Sequence, residues 1–156
     1  MGAARNLFIA VCLMASSSSI AAVSQLTEHA VRQLLAKVDK AITTQDVKLL
    51  GESLSDNVEI TLVISAGGQT QRATMNKAQY LEAARTTWAS ASNYTYRRSN
   101  ERIAIAGSTA TVQAEVLESM VMGSQLIRSV TQETATVELV NGVAVATKVV
   151  GYSTLQ

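Results

Sequence analysis

The chain has 156 residues, of which 47% are apolar, and a formal net charge of +1 at neutral pH. This length and apolar content are typical of one domain with its own core. The near-neutral charge argues against nucleic-acid binding, which needs a basic surface. A single cysteine and a single histidine exclude internal disulfides and histidine-based metal sites, and no glycine-rich phosphate loop is present. We therefore expect no metal and no cofactor.

The first 24 residues have the order of a secretory signal peptide. Arg5 precedes an apolar run from Leu7 to Ala15, and small residues follow, with candidate cleavage sites after Ala21 and Ser24. The apolar run is shorter than the roughly 20 residues that span a membrane. We therefore expect an exported protein, periplasmic or secreted, without a membrane span. Its mature part, residues 25–156, is predicted to be a single domain with 12 basic and 12 acidic residues once Arg5 is removed.

Apolar residues that recur every three or four positions predict three helices. The first runs from Leu26 to Ile42 with one apolar stripe. The second is short and is capped by Asp46. The third is capped by Thr74 or Asn76, and its stripe contains the only tryptophan of the chain; the stripe consists of Tyr80, Ala84, Trp88 and Ala91.

Strands surround the third helix in the sequence. Residues 58–64 alternate between apolar and polar side chains as a first strand, which ends at Gly67 and Gly68. From Asn93 onward the pattern is that of strands and turns only. Two helices, a strand, a helix and a run of antiparallel strands predict an α+β fold.

Two turns predict how the last strands pair. Gly123-Ser124 suits a two-residue hairpin turn, which places Met122 opposite Gln125 and Ala114 opposite Glu133. Around Asn141-Gly142 we predict a three-residue loop, because a two-residue turn would put Lys148 on the inner face. The three-residue loop instead puts four residues inside: Val143, Val145, Thr147 and Val149.

One carboxylate, Glu118, lies on the apolar face of a predicted strand. It shares this face with Ala110, Val112, Ala114, Val116, Met120 and Met122. An unpaired charge in such surroundings would be costly, so we expect it to have a partner.

A guanidinium on the preceding strand can be that partner. A loop over residues 106–109 sets Ile103 against Val112 and Arg97 opposite Glu118. A bulge near Ser99-Asn100 would instead turn Tyr94 and Tyr96 inward in place of Arg97.

The order of these elements resembles the nuclear transport factor 2-like superfamily, close to its SnoaL-like and ketosteroid-isomerase-like small domains, in an exported bacterial-type form. Five segments in the right order carry the resemblance over residues 26–155: Thr44-Gln45-Asp46, residues 54–58, the helix from Lys77 to Trp88, residues 103–112, and Leu139-Val140-Asn141-Gly142.

The resemblance implies a cone-shaped, strongly curved antiparallel or mixed sheet around about three helices, with an apolar cavity inside. It also implies a homodimer through the outer face of the sheet, which here is polar. It does not imply one activity, because the fold hosts isomerases, cyclases, dehydratases and non-catalytic modules.

The catalytic residues of these relatives cannot be carried over to this chain. The isomerase-like members place an aspartate on or just after the first strand, whereas residues 60–65 contain no acid and Glu59 is the only one nearby. The first helix lacks their tyrosine. The dehydratase-like members need histidines in the cavity, and His29 stands alone near a helix start.

Function must therefore be predicted from the cavity side chains. We expect an exported module that binds a small apolar or amphipathic molecule, or a protein partner. The alternative is a cofactor-independent isomerase or cyclase with Glu118 as general base, and a third class, a purely structural dimeric domain, stays open. The two acids Glu118 and Glu133 are about 13 Å apart along the strands, too far for a glycosidase-like pair. The predicted cavity residues are Tyr80, Trp88, Tyr94, Tyr96, Arg97, Val116, Glu118, Met120 and Glu133.

Overall fold

The computed structural model describes residues 25–156, so the predicted signal peptide, residues 1–24, lies outside the described residues. The described part contains three helices, α1 (Glu28–Thr43), α2 (Val47–Gly51) and α3 (Lys77–Ser90). None of them is long and apolar enough to cross a membrane. Six strands complete the domain: β1 (Leu54–Ala66), β2 (Gln69–Met75), β3 (Ala91–Ala106), β4 (Thr109–Met122), β5 (Gln125–Val140) and β6 (Val143–Leu155).

The six strands form one mixed sheet in the order β2-β1-β6-β5-β4-β3. The β1–β6 pair is parallel, and the other neighbours are antiparallel. The predicted α+β class and mixed sheet are therefore confirmed. Strand β2 was not predicted, because this exposed edge strand lacks the alternation of apolar and polar residues that marks β1.

The caps of the two later helices follow the sequence prediction. The Asp46 side chain accepts a hydrogen bond from the Leu49 amide at 2.9 Å and begins α2. Asn76, rather than Thr74, begins α3 through a reciprocal capping box with Gln79. Both caps satisfy amide groups that would otherwise lack a partner at the helix start.

The hydrophobic core occupies one end of the inner face of the sheet. Helix α1 buries its apolar stripe against the neighbouring strands β4 and β5 at the end where residues 110–112 face residues 135–137. A second cluster joins β1 and β6 to α3, with Ile60 at its centre. The opposite end of the inner face, beyond Val116, is left to the cavity described below.

The predicted pairing of β4 with β5 is confirmed. Met122 lies opposite Gln125, and Ala114 lies opposite Glu133. Ile103 also faces Val112 across β3 and β4, as predicted.

The predicted three-residue loop before β6 is wrong. Asn141 and Gly142 form a two-residue turn with positive φ angles of 52° and 77°, and Val140 pairs with Val143. Val143 is 57% exposed, and Ala144 and Ala146 take inner positions beside the core. An Asn-Gly turn fits the twist of a hairpin better than a longer loop does.

A bulge nevertheless keeps the charged side chain of β6 off the inner face. The register shifts between Thr136 and Val137, so Lys148 lies opposite Thr136 and Val149 lies opposite Ala135. The predicted inner position of Val149 is therefore confirmed, although a bulge and not the turn produces it.

Two bulges in β3 decide which of its side chains face inward. Between the pairs Ser99–Glu115 and Arg102–Gln113, two residues of β3 face one residue of β4. Asn100 adopts a left-handed φ of 55° there, which asparagine tolerates better than most residues. The register shifts a second time between Ser92 and Thr95, where Asn93 also has a left-handed φ angle, of 51°.

The predicted pairing of Arg97 with Glu118 is wrong as a result. The bulge at Asn100 moves the register by one residue, so Tyr96 lies opposite Glu118 and Arg97 lies opposite Leu117 on the outer face. The alternative interpretation, in which a bulge near Ser99-Asn100 turns Tyr94 and Tyr96 inward, is confirmed.

The outer face of β4 and β5 is polar around Glu115 and Gln132, and it carries apolar side chains at Leu117 and Val130. Gln132 donates a hydrogen bond to Glu115 across the two strands at 2.9 Å. Association of two copies through this face stays a prediction.

Candidate functional site

A cavity of about 280 Å³ lies between α3 and the inner face of the curved sheet. Its volume is just below the range of roughly 300 to 1,000 Å³ that is usual for small-molecule sites. Most of its wall is aliphatic or aromatic, and its polar groups come mainly from β4 and β5. The apolar residues include Ile42, Leu62, Ile64, Met75, Met120, Ile127 and Leu155.

Helix α3 supplies an aromatic wall of the cavity. Tyr80, Ala84 and Trp88 recur at four-residue spacing and all line the cavity. The helix has no fully buried residue, because this stripe faces the cavity instead of packed core. The Trp88 ring meets the Tyr94 ring edge to face, with centroids 6.5 Å apart and an interplanar angle of 69°.

The Glu118 carboxylate is held by a tyrosine from the neighbouring strand. The Tyr94 hydroxyl donates a hydrogen bond to Glu118 Oε1. Burial, together with the negative charge of Glu118, raises the pKa of Tyr94 well above its usual range. Tyr94 therefore stays a hydrogen-bond donor at any physiological pH.

A buried guanidinium, Arg98, lies at the inner end of the site. Its side chain is 3% exposed, and its Nη2 atom lies 3.2 Å from Asp39 Oδ1 and 4.0 Å from Glu133 Oε1. Arg98 Nε and Nη2 donate to the Tyr96 hydroxyl at 3.2 and 2.9 Å. Tyr96 in turn donates to Asp39 Oδ1 at 3.0 Å. This network joins α1 to β3 and β5.

The network keeps Arg98 charged despite its burial. Burial alone would lower the pKa of Arg98, but Tyr96, Glu133 and Asp39 outweigh it, so that the pKa is raised. Burial raises the pKa of Tyr96 as well. Arg98 Nη1 is buried and has no hydrogen-bond partner among residues 25–156, so the guanidinium depends on its remaining contacts.

Glu133 binds its proton more tightly than an ordinary glutamate. Only 27% of its side chain is exposed, and that part faces the cavity. Burial is the largest cause of its raised pKa, and the negative charges of Glu118 and Asp39 add to it, whereas Arg98 opposes it.

Tyr80 is a second donor that stays protonated. Burial raises the pKa of Tyr80 well above its usual range, and the negative charges of Glu133 and Glu118 raise it further. The cavity therefore combines two carboxyl groups with phenolic hydroxyls that do not ionise, on a mostly apolar wall that also contains Thr87, Ser129, Thr131 and Ser153.

No family model matches the sequence, and no curated protein matches it. Solved structures do match. A conserved protein from Planctomyces limnophilus is 14% identical, with a TM-score of 0.67 over 83% of this chain and 97% of that one. A protein from Cytophaga hutchinsonii, described as NTF2-like, is 15% identical, with a TM-score of 0.65 over 82% and 99%. The hexachlorocyclohexane dehydrochlorinase LinA, type 2, is 18% identical, with a TM-score of 0.63 over 82% and 87%.

The chain has the nuclear transport factor 2-like fold. Identities this low establish the fold alone, and the neighbours include both an enzyme and proteins described only by their fold or conservation. In this fold, the space between α3 and the inner face of the sheet is the cavity described above.

Eight of the nine predicted cavity residues line this space, and Arg97 is the exception. Arg97 is exposed because it lies on the outer face of β3. Whether the eight bind a ligand stays a prediction. His29 is exposed on α1 and does not line the cavity. Within residues 25–156 no cluster of three or more histidine, cysteine or acidic side chains could hold a metal ion.

Sequence analysis missed Arg98 and Asp39. Arg98 is next to the predicted Arg97, and the one-residue shift at Asn100 exchanged their faces. Asp39 had no signal of its own, because an acid near the end of a helix is usually solvated.

We predict that Arg98 and Arg97 differ sharply in their effect on stability. Arg98→Met leaves Asp39, Tyr96 and Glu133 without their shared partner and should lower the free energy of unfolding by about 1 to 3 kcal/mol, less than for a fully buried pair because the Asp39 side chain is 35% exposed. Arg97→Met, one residue away on the exposed face, should change the free energy of unfolding by less than about 0.5 kcal/mol. Urea denaturation of both variants measures the difference. A large loss for Arg97→Met with a small loss for Arg98→Met would reverse the assignment of faces.

The raised pKa of Glu133 predicts a pH-dependent effect of Glu133→Gln. The ordinary pKa of a glutamate, which we take for the unfolded chain, is 4.5, and the pKa of Glu133 in the folded state is higher. The folded state therefore binds this proton more tightly than the unfolded state does. As the pH rises from 4.5 through the folded-state pKa, ionisation of Glu133 lowers the free energy of unfolding. Glu133→Gln removes that cost. The stability of the variant relative to wild type should therefore improve as the pH rises from 4.5 to 8, which denaturation at a series of pH values will show. A relative stability that declines over this range would mean that the pKa of Glu133 is lowered instead.

Proposed function

We propose that this domain binds a small, largely apolar molecule in the cavity between α3 and the sheet. One observation carries the proposal: the cavity has a mostly aliphatic and aromatic wall, and the carboxyl groups of Glu118 and Glu133 line it together with a few hydroxyl groups. A concave apolar wall with a few convergent polar groups is the usual form of a small-molecule site.

The packing of α3 supports this use of the space. Tyr80, Ala84 and Trp88 form the apolar stripe that a helix normally buries in a core, yet here the stripe borders a cavity. An apolar ligand would gain the contacts that these side chains lack. Because residues 1–24 have the pattern of a signal peptide, we propose that binding takes place outside the cytoplasm.

A proton-transfer enzyme, such as an isomerase or cyclase, is the second candidate. The observation in its favour is the hydrogen bond from Tyr94, which orients the Glu118 carboxylate at the cavity wall as a general base would be oriented. Both functions need a molecule in the cavity. Glu118→Gln distinguishes the two functions. In an enzyme it abolishes turnover of the substrate, whereas a binding protein has no turnover to lose.

We predict that filling the cavity weakens binding. Ala84→Leu adds a bulky side chain at the cavity wall, whereas Ala89→Leu adds the same atoms at an exposed position of α3 outside the lining. Trp88 is the only tryptophan, so its fluorescence reports directly on the cavity. In titrations with 2-phenylethanol, wild type and Ala89→Leu should show a saturable change, and Ala84→Leu should bind about tenfold more weakly or not at all.

Circular dichroism serves as the control for folding in all three proteins. Absence of a saturable change in wild type would count against the cavity as a binding site. So would equal affinities for Ala84→Leu and Ala89→Leu.

A further inference from the structure

We propose that the cavity selects an amphipathic molecule with one positively charged amino group, which Glu118 holds while the apolar body of the molecule fills the remaining space. This inference rests on the proposed function, because it names the chemical class of the ligand for the same cavity.

The charges around the cavity have one sign. Within residues 25–156, the lining contains the carboxylates Glu118 and Glu133 and no lysine, arginine or histidine. Arg98 is the nearby cation, but its side chain is 3% exposed and its Nη2 atom lies 3.2 Å from Asp39. Because Arg98 shares its positive charge with Asp39, that charge does not neutralise both Glu118 and Glu133.

Glu118 is the carboxylate that is free to meet a cation. Glu133 already lies 4.0 Å from Arg98. Across the described residues, by contrast, no basic side chain lies within salt-bridge distance of Glu118. Its hydrogen bond from Tyr94 uses only part of the capacity of a carboxylate, which can accept about four. A partly buried carboxylate without a counter-charge is costly, and a ligand ammonium group would reduce that cost.

Aromatic rings surround the same region. Trp88, Tyr94, Tyr80 and Tyr96 all line the cavity, and Tyr94 joins the ring pair with Trp88 to the Glu118 carboxylate. The faces of aromatic rings attract cations. Carboxylate and rings therefore favour the same ligand group.

The rest of the wall limits the ligand in two ways. Its aliphatic side chains favour an apolar body, and a cavity of about 280 Å³ limits that body to a small molecule. An anionic ligand would be repelled by Glu118 and Glu133, so the same charges that attract an amine exclude a carboxylate of similar shape.

Three probes with the same phenyl group test the inference: 2-phenylethylamine, 2-phenylethanol and 3-phenylpropionate. Their affinities for the whole purified protein are measured at neutral pH by isothermal titration calorimetry and by the fluorescence of Trp88. We expect the amine to bind about tenfold more tightly than the alcohol, and the carboxylate more weakly than both.

Variants assign the effect to one carboxylate. Glu118→Gln keeps an oxygen that can accept from Tyr94 but removes the negative charge, so it should reduce the ratio of amine to alcohol affinity from about tenfold to about one. Glu115→Gln removes a carboxylate from the outer face of the same strand and should preserve the preference for the amine. Circular dichroism spectra that match wild type show that each variant is folded.

The outcomes separate this inference from the proposed function. Equal affinities for amine and alcohol would overturn the selection of a cation and leave cavity binding intact. Loss of the preference in Glu133→Gln but not in Glu118→Gln would overturn the role of Glu118. If Glu115→Gln lost the preference for the amine as fully as Glu118→Gln, the preference would come from the surface charge of the protein, and this result would also overturn the role of Glu118. Failure of all three probes to bind would overturn both proposals.

Discussion

The extra residue in β3 at Asn100 is the constraint on which the site depends. With a regular register, Arg97 would face Glu118, and the two charges would form an ion pair inside the cone. The bulge moves the register by one residue, so Tyr96 faces Glu118 and Arg97 faces solvent. One left-handed asparagine thus changes a neutral, internally paired interior into a cavity with an accessible carboxylate. The second bulge, at Asn93, accompanies the inward turn of Tyr94, which holds that carboxylate.

Arg98 is the cation that the shifted register brings inside, and it has a structural role. It contacts Asp39 of α1 and the Tyr96 hydroxyl, and it lies near Glu133 of β5, so it links the first helix to the sheet where the core meets the cavity. A buried guanidinium of this kind is expensive to desolvate and is tolerated because several partners share its charge. Arg98 contacts Asp39 and lies near Glu133, and no basic side chain of residues 25–156 lies within salt-bridge distance of Glu118. The same network therefore holds α1 against the sheet and keeps the positive charge of Arg98 out of the cavity lining, where the only charged groups from the described part of the chain are carboxylates.

Most of the fold could be predicted from the sequence, because its signals are local. Asp46 and Asn76 cap helices by well-known hydrogen bonds, and Gly123-Ser124 sets a hairpin register that runs without a break along β4 and β5. The errors arose where one residue changes the register: the bulge at Asn100 and the two-residue turn at Asn141-Gly142. A bulge costs little locally and has no strong sequence pattern, yet it exchanges the two faces of a strand. Asp39 could not be predicted, since its role depends on Arg98, which is distant in the sequence.

The most direct test of the cavity as a binding site is a methyl NMR titration with 2-phenylethylamine. The methyl groups of Ile64, Met75, Met120 and Ile127 line the cavity, whereas Ile105 is 40% exposed at the other end of β3 and serves as the reference. We predict saturable chemical-shift changes at the four cavity methyl groups with a common dissociation constant, and no change at Ile105. Changes at Ile105 without changes at the cavity methyl groups, or no saturable change at any of them, would contradict the account.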